Sequence, residues 1–344
     1  MSKNMRKILS VILILIAVKV SGQDPRFSQF HLMPIYLNPA MTGFFDGDAR
    51  FAAIYRNQWF SLGSPYGNTK YETEGGAIDG CIKVGKPSGD YDRKQDYIGV
   101  GGAFIRDVAG DEAFTSTDGF INIAYSKSFG YKVKHSIAIG LQGEIMSTQF
   151  RNGGAVFPDG IVENIGKNNI KFDATVGIRY HVDFMKRLNM YFGFAYSHVT
   201  SPVNNFTDIS SDKLYAKYIA HAGAVIAIRD RVNLVPSFMF LSQGPSIDAT
   251  VGANAQYILG NVYDSKNSIS FGLMARFARP EGPEAIIPNV RLEFYNVTMG
   301  VAYDVNVSSL AKGTKTVGAI EVALQYIFKH RKHGVPTNAS CPQW

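Results

Sequence analysis

The residues whose types and spacing could support catalysis do not assemble into a recognisable set. Gly80, Gly85 and Lys86 have the spacing of a phosphate-binding loop. Pro87, however, stands where such a loop needs a serine or threonine to hold Mg²⁺, and proline lacks the backbone amide that would contact phosphate. We therefore interpret this spacing as chance.

Other catalytic and metal-binding patterns are missing from the sequence. It contains no Gly-x-Ser-x-Gly elbow and no His-Glu-x-x-His pair. Its seven histidines show no spacing typical of metal ligands. Two cysteines, Cys81 and Cys341, are too few for a disulfide scaffold or a four-thiolate zinc site. We predict no enzymatic activity, no metal site and no cofactor.

The composition favours strands over helices. Of 344 residues, 46% are apolar and only 18% are charged, against a usual charged share of about 25%, which excludes a disordered chain. The chain also holds 34 glycines, 23 phenylalanines and 18 tyrosines but only two tryptophans. Glycine and aromatic residues in this proportion are typical of strands and turns.

The first 22 residues have the layout of a cleaved secretory signal. Cations precede the apolar run 8–18, and small residues stand before Gln23, which we predict to be near the mature N-terminus. The alternative is a membrane anchor, but the run is shorter than the roughly 20 apolar residues that a spanning helix needs. Residues 1–22 hold four cations and no acid, so the net charge of +7 becomes 7 − 4 = +3 in the mature chain. This modest charge does not indicate nucleic-acid binding.

Alternation with a period of two residues repeats along the rest of the chain. In 171–183, apolar residues occupy one face and polar residues or glycine the other, and 246–257 repeats the pattern. Each segment is near the ten residues that cross a bilayer obliquely. We predict an all-β transmembrane antiparallel barrel of about 14 strands with an irregular N-terminal segment. The predicted strands are 48–57, 70–78, 97–106, 117–129, 134–148, 171–183, 188–199, 215–228, 231–242, 246–258, 267–279, 285–294, 296–306 and 317–329.

The lengths of the links agree with an outer-membrane barrel whose two termini face the periplasm. Such barrels have short periplasmic turns and longer outer loops. The links after strands four, eight and twelve are short, and those after five, seven and thirteen are long. The long link 79–96 and the short link 242–245 do not fit this parity. The alternative is a soluble β-sandwich or propeller, but secretion, strand length and aromatic residues near strand ends favour the membrane barrel.

The segment 24–43 does not alternate. Its three prolines forbid a long helix or a central strand, and it is too aromatic for a solvated linker. We expect it to pack against the mouth or lumen of the barrel. The first predicted strand then ends in the sequence Tyr-Arg-Asn-Gln-Trp.

These N-terminal residues carry a resemblance to a known family. The sequence QDPRFSQFHLMPIYLNPAMTGF followed by YRNQW resembles the opening of the PorP/SprF family of type IX secretion system membrane proteins of Bacteroidota. The ending Cys-Pro-Gln-Trp is similar to the C-terminal Cys-Pro element of that family. These blocks cover the first fifth of the chain and its last residues, whereas the strands between them match in architecture only.

The resemblance implies a non-enzymatic outer-membrane barrel of the type IX secretion and gliding system. It would help to export or surface-anchor a secreted adhesin or other substrate by protein–protein contact. Its implied partners are that substrate, periplasmic ring components of the secretion system and outer-membrane lipid. The residues of the two N-terminal blocks would form a partner-binding or structural motif: Asp24, Pro25, Phe27, Ser28, Gln29, Phe30, Pro34, Tyr36, Leu37, Asn38, Pro39, Ala40, Gly43, Tyr55, Arg56, Asn57, Gln58 and Trp59. The alternative function is a solute channel or hydrophobic-ligand transporter.

These inferences divide the chain into four parts. They are a signal peptide at 1–22, an N-terminal family segment at 23–47, an outer-membrane barrel at 48–329 and a periplasmic C-terminal tail at 330–344. In this topology Cys81 and Cys341 both face the oxidising periplasm, so a disulfide between them and two free thiols are both open.

Overall fold

The computed structural model describes most of the predicted barrel and the segment before it. The described residues are 24–60, 63–64, 67–68, 71–84, 96–109, 114–130, 133–150, 167–184, 188–203, 213–260, 267–279, 282–309, 311–314 and 316–329. The predicted signal peptide 1–22 and tail 330–344 lie outside these residues, so both boundaries stay predictions.

Fourteen antiparallel strands close into a single barrel, which confirms the predicted fold class. Every strand pairs with its neighbours in the chain, and the first strand also pairs with the last. The strands are β1 (Ala49–Gln58), β2 (Tyr71–Val84), β3 (Asp96–Ala109), β4 (Phe114–Phe129), β5 (Lys134–Phe150), β6 (Lys167–Phe184), β7 (Leu188–Ser197), β8 (Lys217–Arg229), β9 (Val232–Gln243), β10 (Ser246–Leu259), β11 (Asn267–Arg279), β12 (Gly282–Phe294), β13 (Val297–Asn306) and β14 (Val317–Phe328).

The closing strand pair defines the two ends of the barrel. Ala49 at the start of β1 pairs with Phe328 at the end of β14 and with Gly80 on β2. We call the end that holds Ala49 and Phe328 the near end, and the opposite end the far end. The three longest links, 59–70, 151–166 and 198–216, all leave the barrel at the far end.

The largest difference from the predicted strands lies in β2. It extends to Val84 instead of ending at 78, so the near-end link is 85–95. The sequence signal was weak there because a glycine, Gly80, takes one of the outward positions between Ile78 and Ile82. The near-end link 85–95 is still long and the far-end link 244–245 is still short. Both exceptions to the expected pattern of short links at one end and long links at the other therefore remain.

The barrel is polar inside and apolar outside. On β4, Ile121 is 75% exposed, whereas the adjacent Asn122 is 2% exposed. On β6, the outward Ile178 is 47% exposed and the inward Arg179 is fully buried. A soluble sandwich would bury the apolar face instead, so this arrangement is that of an outer-membrane barrel facing lipid.

A few short elements lie outside the barrel wall. Two-residue strands, Gly63–Ser64 and Gly67–Asn68, pair with each other in the far-end link after β1. A short helix, Ala311–Thr314, lies in the link before β14. Among the described residues, no helix is long and apolar enough to cross a membrane.

Candidate functional site

Residues 24–47, which we call the lumen segment, run along the inside of the barrel. They form a 3-10 turn at Phe30–Leu32, helix α1 at Pro34–Leu37 and a second 3-10 turn at Pro39–Met41. Prolines start the last two of these elements, because a proline at the first helical position needs no amide partner. Asn38 caps the second turn by accepting a hydrogen bond from the amide of Ala40 over 2.9 Å.

The lumen segment begins at the far end and joins β1 at the near end. Asp24 contacts Lys217 and Gln243, which stand at the far ends of β8 and β9. Gly43 contacts Asp79 near the opposite end of β2. The segment therefore threads the whole lumen before the first strand begins. The termini of the chain lie outside the described residues, so the prediction that both face the periplasm stays a prediction.

Asp24 anchors the start of the lumen segment by charge. Its Oδ2 accepts hydrogen bonds from Lys217 Nζ over 2.9 Å and pairs with His198 Nε2 at 2.8 Å. Burial alone would raise the pKa of Asp24, but the nearby Lys217 and His198 outweigh it and hold this pKa far below its ordinary value. Two residues on, Arg26 forms ion pairs with Asp248 and Glu284 of β10 and β12.

Below this anchor lies a buried ionic network that we call the arginine cage. Its members come from the lumen segment and from four strands near their far ends: Ser28, Gln29, Arg56, Arg276, Asp304 and Glu321. All six residues are at most 4% exposed. The cage therefore joins both N-terminal sequence blocks, through Ser28 and Arg56, inside the barrel.

Ser28 stands at the centre of the cage. Its Oγ donates to Asp304 Oδ1 over 2.7 Å and accepts from Arg56 Nη1 over 2.9 Å and from Arg276. A hydroxyl offers one donor and two acceptor positions, so the hydrogen-bonding capacity of Ser28 Oγ is fully used. Asp304 in turn binds Arg56 and Arg276 at 2.7 and 2.8 Å.

Glu321 fixes the backbone of the lumen segment. Its two carboxylate oxygens accept from the amides of Ser28 and Gln29 over 2.8 and 2.6 Å, and one oxygen also meets Arg56 at 3.2 Å. A buried carboxylate is costly unless it is paired and hydrogen-bonded. Arg56 and two backbone amides satisfy Glu321. Because the lumen segment supplies both amides, it helps to stabilise this charge inside the barrel.

Halfway along the lumen, the segment lies directly on strand backbone. Asn38 Nδ2 donates to the carbonyls of Ile178 and Phe194 over 3.1 and 3.3 Å. A Cβ added at Gly177 would lie 2.0 Å from Asn38 Oδ1, and one at Gly140 would lie 2.3 Å from the amide nitrogen of Ala40. Glycine in the wall is what lets the segment approach this closely.

Apolar side chains of the lumen segment fill the space between these polar contacts. One cluster packs Phe27, Met33 and Ile35 against Ile54 and Ile105 of the wall. Tyr36 lies edge-on to Phe27 at a centroid distance of 5.8 Å, and its hydroxyl donates to the carbonyl of Pro25 over 2.8 Å. Burial, and then the negative charge of Asp24, raise the pKa of Tyr36, so the phenol stays protonated.

Near the end of the segment, two arginines hold the chain as it turns towards β1. Arg50 binds both oxygens of Asp79, over 2.9 and 2.8 Å, and Asp79 also accepts from the amide of Gly43. Arg179 donates to the carbonyl of Ala40 over 3.1 Å, and its guanidinium lies 3.7 Å from the ring centroid of Phe44. This arrangement combines hydrogen bonding with a cation–π contact.

A cavity of about 640 Å³, which we call the vestibule, opens beside the lumen segment at the near end. The segment lines it with His31, Leu32, Pro34, Met41, Phe44, Phe45 and Asp46. The wall adds amides such as Asn233 and Gln256 and the charged Arg291 and Glu293. Desolvation, and then the charge of Arg291, lower the pKa of His31 to about 3, so His31 is neutral near pH 7.

The predicted motif residues divide into two groups. Those at positions 24–43 all lie in the lumen segment, and Arg56 reaches them through the cage. Tyr55 points outwards and is 40% exposed, and the ring of Trp59 packs on Tyr71 at 4.9 Å instead. Asn57 donates to Glu72 on β2, and Gln58 ends β1 opposite Tyr71. The second block therefore contributes one residue, Arg56, to the site.

Sequence reasoning missed the wall residues of the cage. Arg276, Asp304 and Glu321 are separated from Ser28 by more than 200 positions and occur singly in alternating strands. The only available signal was a charged side chain on a polar face of a predicted strand. Among the described residues no cysteine is a free thiol. Because Cys341 lies outside those residues, its pairing with Cys81 stays a prediction.

Comparisons with solved structures return outer-membrane barrels of low sequence identity. The Ralstonia pickettii toluene transporter TbuX has 11% identity and a TM-score of 0.46, with 86% of this chain and 94% of that chain covered. A Pseudomonas aeruginosa FadL homologue has 10% identity and a TM-score of 0.45, with 85% and 93% covered. The TodX monoaromatic hydrocarbon channel has 9% identity and a TM-score of 0.48, with 87% and 94% covered. No curated protein sequence matches this chain.

The family comparison covers nearly the whole barrel. The model that describes the type IX secretion system membrane protein PorP/SprF matches residues 19–326. That range includes the lumen segment, the arginine cage and thirteen complete strands, and it reaches into β14. The chain therefore belongs to the PorP/SprF family of type IX secretion system membrane proteins, with the fold of a bacterial outer-membrane barrel.

Proposed function

We propose that this protein is a closed, non-enzymatic barrel that helps to export or surface-anchor a secreted substrate, such as an adhesin, by protein–protein contact. The observation that carries the proposal is the position of the lumen segment. It occupies the lumen from Asp24 at the far end to Gly43 near the other end. A barrel filled in this way suits a docking function better than the transit of a solute.

The near end is the side that we assign to the periplasm. Short turns are typical of the periplasmic side of such barrels and longer loops of the outer side. The near-end links include 130–133, 230–231 and 295–296, whereas the three longest links lie at the far end. In this orientation the vestibule faces substrates and periplasmic ring components of the secretion machinery.

The vestibule offers the chemistry to bind a polypeptide segment. Side-chain amides can pair with peptide groups, and aromatic rings supply apolar contact at the same place. Asn233, Gln256 and Tyr295 line the vestibule together. Its volume falls within the 300–1,000 Å³ that is roughly usual for binding pockets.

Site-specific photocrosslinking in cells that secrete the substrate tests this docking site. A photoreactive residue at Ala227 would face the vestibule, whereas one at Ile228 would face lipid, since Ile228 is 58% exposed on the outer surface. We expect the substrate or a ring component to crosslink at 227 and not at 228. Equal labelling at both positions, or labelling of neither protein at 227, would contradict the proposal.

Single-channel recording distinguishes a docking barrel from a channel. The purified protein in a planar bilayer should show no stable open state, because the arginine cage holds the lumen segment in place. A steady pore in the unmodified protein would instead favour the solute channel or hydrophobic-ligand transporter.

A further inference from the structure

We propose that Glu144, Asp173 and His198 form a binding site for one divalent transition-metal ion, best matched by Zn²⁺. Glu144 on β5 and Asp173 on β6 are cross-strand partners, and His198 follows the end of β7. The candidate ligand atoms of the three residues lie within 4.8 Å of one another, and all three residues are buried. An imidazole with two carboxylates is a donor set that Zn²⁺ uses.

Glu144 is the ligand whose carboxylate a bound cation would stabilise most. It is 8% exposed, and within the described part of the chain no hydrogen bond or ion pair reaches its carboxylate. Ionisation of a buried carboxyl group without a partner is strongly unfavourable, and a bound cation would remove that cost. The neighbouring inward pair, Gln142 and Thr175, also leaves Gln142 Nε2 and Thr175 Oγ1 without a described partner. This part of the lumen therefore holds more polar groups than the protein alone satisfies.

His198 lies between two carboxylates. Its Nε2 lies 2.8 Å from Asp24 Oδ2, and its Nδ1 points at Asp173 Oδ2 from 2.6 Å. A histidine that binds a metal through one ring nitrogen commonly donates the other N–H to a carboxylate. Asp24 would take that supporting position. The ion would replace the direct hydrogen bond between Nδ1 and Asp173 Oδ2, and these two atoms would move apart from 2.6 Å, because two zinc bonds of about 2.0 Å at a tetrahedral angle span a longer distance.

Asp173 is supported in the same way. Its Oδ1 accepts from the Thr200 hydroxyl over 2.8 Å and from the amides of Ala174 and Thr200 over 2.7 and 3.2 Å. These bonds fix the carboxylate and leave Oδ2 directed towards His198. A backbone bond from Val199 to the carbonyl of Ala174 over 3.1 Å holds the loop of His198 on β6.

Charged residues surround the three ligands, and any proton on a ligand atom must leave when an ion binds. Asp118 on β4 and Lys171 on β6 flank the three ligands, and Lys217 pairs with Asp24. Without a metal, His198 is hydrogen-bonded between Asp24 and Asp173. Zn²⁺ binding needs a deprotonated Nδ1 and two carboxylates, so any proton on these three ligands is released to solvent, and the charge of the ion offsets those of Glu144 and Asp173.

The bound ion would link the wall to the start of the lumen segment. It would join β5, β6 and the loop after β7, and through His198 it would hold Asp24 in place. The inference is independent of the proposed docking function, because it depends only on ligands at the far half of the barrel.

Zinc titration of the full-length purified barrel tests the site directly. Isothermal titration with ZnCl₂ alone and elemental analysis after dialysis should give one Zn²⁺ per chain. We expect E144Q to weaken binding at least tenfold and H198Q about a hundredfold or more, as for loss of groups at or around a metal. X-ray absorption of the loaded protein should show nitrogen and oxygen ligands at about 2.0–2.2 Å.

The control removes a different buried carboxylate. Asp79→Asn deletes a charge on β2 near the opposite end of the barrel and touches none of the three ligands, so zinc affinity should change by less than about threefold, within the spread expected for a distant site. The difference in gel mobility between heated and unheated samples shows whether each variant is a folded barrel. Lack of stoichiometric zinc in the wild type, or equal affinity for wild type and E144Q, would leave His198 as a residue hydrogen-bonded between two carboxylates and overturn the proposal.

Discussion

The two ends of the lumen hold the same segment by different means. At the far end, the arginine cage surrounds Ser28 with charges that are fully removed from water. At the near end, Arg50 and Asp79 hold only the point where the segment leaves for β1, and the rest of that end opens into the vestibule. The barrel is therefore closed and rigid on one side and accessible on the other, which leaves the near end as the route by which a partner can reach the lumen segment.

The largest expected difference between the two ends comes from removing Arg56 at the far end. Arg56→Met leaves Glu321 buried without a cationic partner and Asp304 with Arg276 only. Breaking a buried ion pair by deleting one partner costs about 3–5 kcal/mol, and we expect a loss of this size in the free energy of unfolding. Urea unfolding in lipid vesicles measures it.

An exposed ion pair on the same barrel supplies the control. Arg106 meets Glu74 at 3.1 Å, and their side chains are 42% and 49% exposed. Arg106→Met should cost less than about 1 kcal/mol, because exposed ion pairs contribute little and this substitution leaves no charge buried in the lumen. If both variants lost equal stability, the cage would not be the stronger anchor.

A smaller effect is expected halfway between the two ends. Gly177→Ala would place a methyl group 2.0 Å from Asn38 Oδ1, so the segment must shift off the wall. Overpacking of this kind costs about 1–3 kcal/mol. Urea unfolding measures the loss of stability, and proteolysis of the lumen segment shows whether the segment has left the wall.

Gly143 is the matched position for this test. It lies on the neighbouring β5, and a Cβ there would meet nothing within 4 Å. Gly143→Ala should leave both stability and protease resistance close to those of the wild type. A wild-type proteolysis pattern in Gly177→Ala would show that the mid-lumen contact does not position the segment.

The wall could be predicted from sequence far better than the contents of the lumen. All fourteen strands follow from alternation, because lipid on one side and a polar lumen on the other impose a two-residue period. The cage does not follow, because barrel closure brings Glu321 of β14 beside β1, and no local pattern encodes that meeting. Asp173, Glu144 and His198 were hidden for the same reason, since three separate parts of the wall supply them.

The predicted disulfide should affect stability about as much as the glycine contact. Cys81 and Cys341 are 341 − 81 = 260 positions apart, so a bridge between them would restrict the unfolded chain. Cys81→Ser should therefore lower the free energy of unfolding by about 2 kcal/mol. Peptide mapping without reduction should recover the linked pair. Recovery of unlinked Cys81 and Cys341 peptides only would refute the bridge.

The smallest change in stability should come from the vestibule, where the effect on function is expected to be large. Ala227→Trp would fill space at the near end, and since Ala227 faces the open cavity, its free energy of unfolding should stay within about 0.5 kcal/mol of the wild type. Ile228→Trp makes the same change on the lipid face one residue away. Surface display of the secreted substrate should fall with Ala227→Trp and persist with Ile228→Trp. Because neither variant disturbs the cage, unchanged display in both would move the partner contact away from the near end while leaving the closed far end intact.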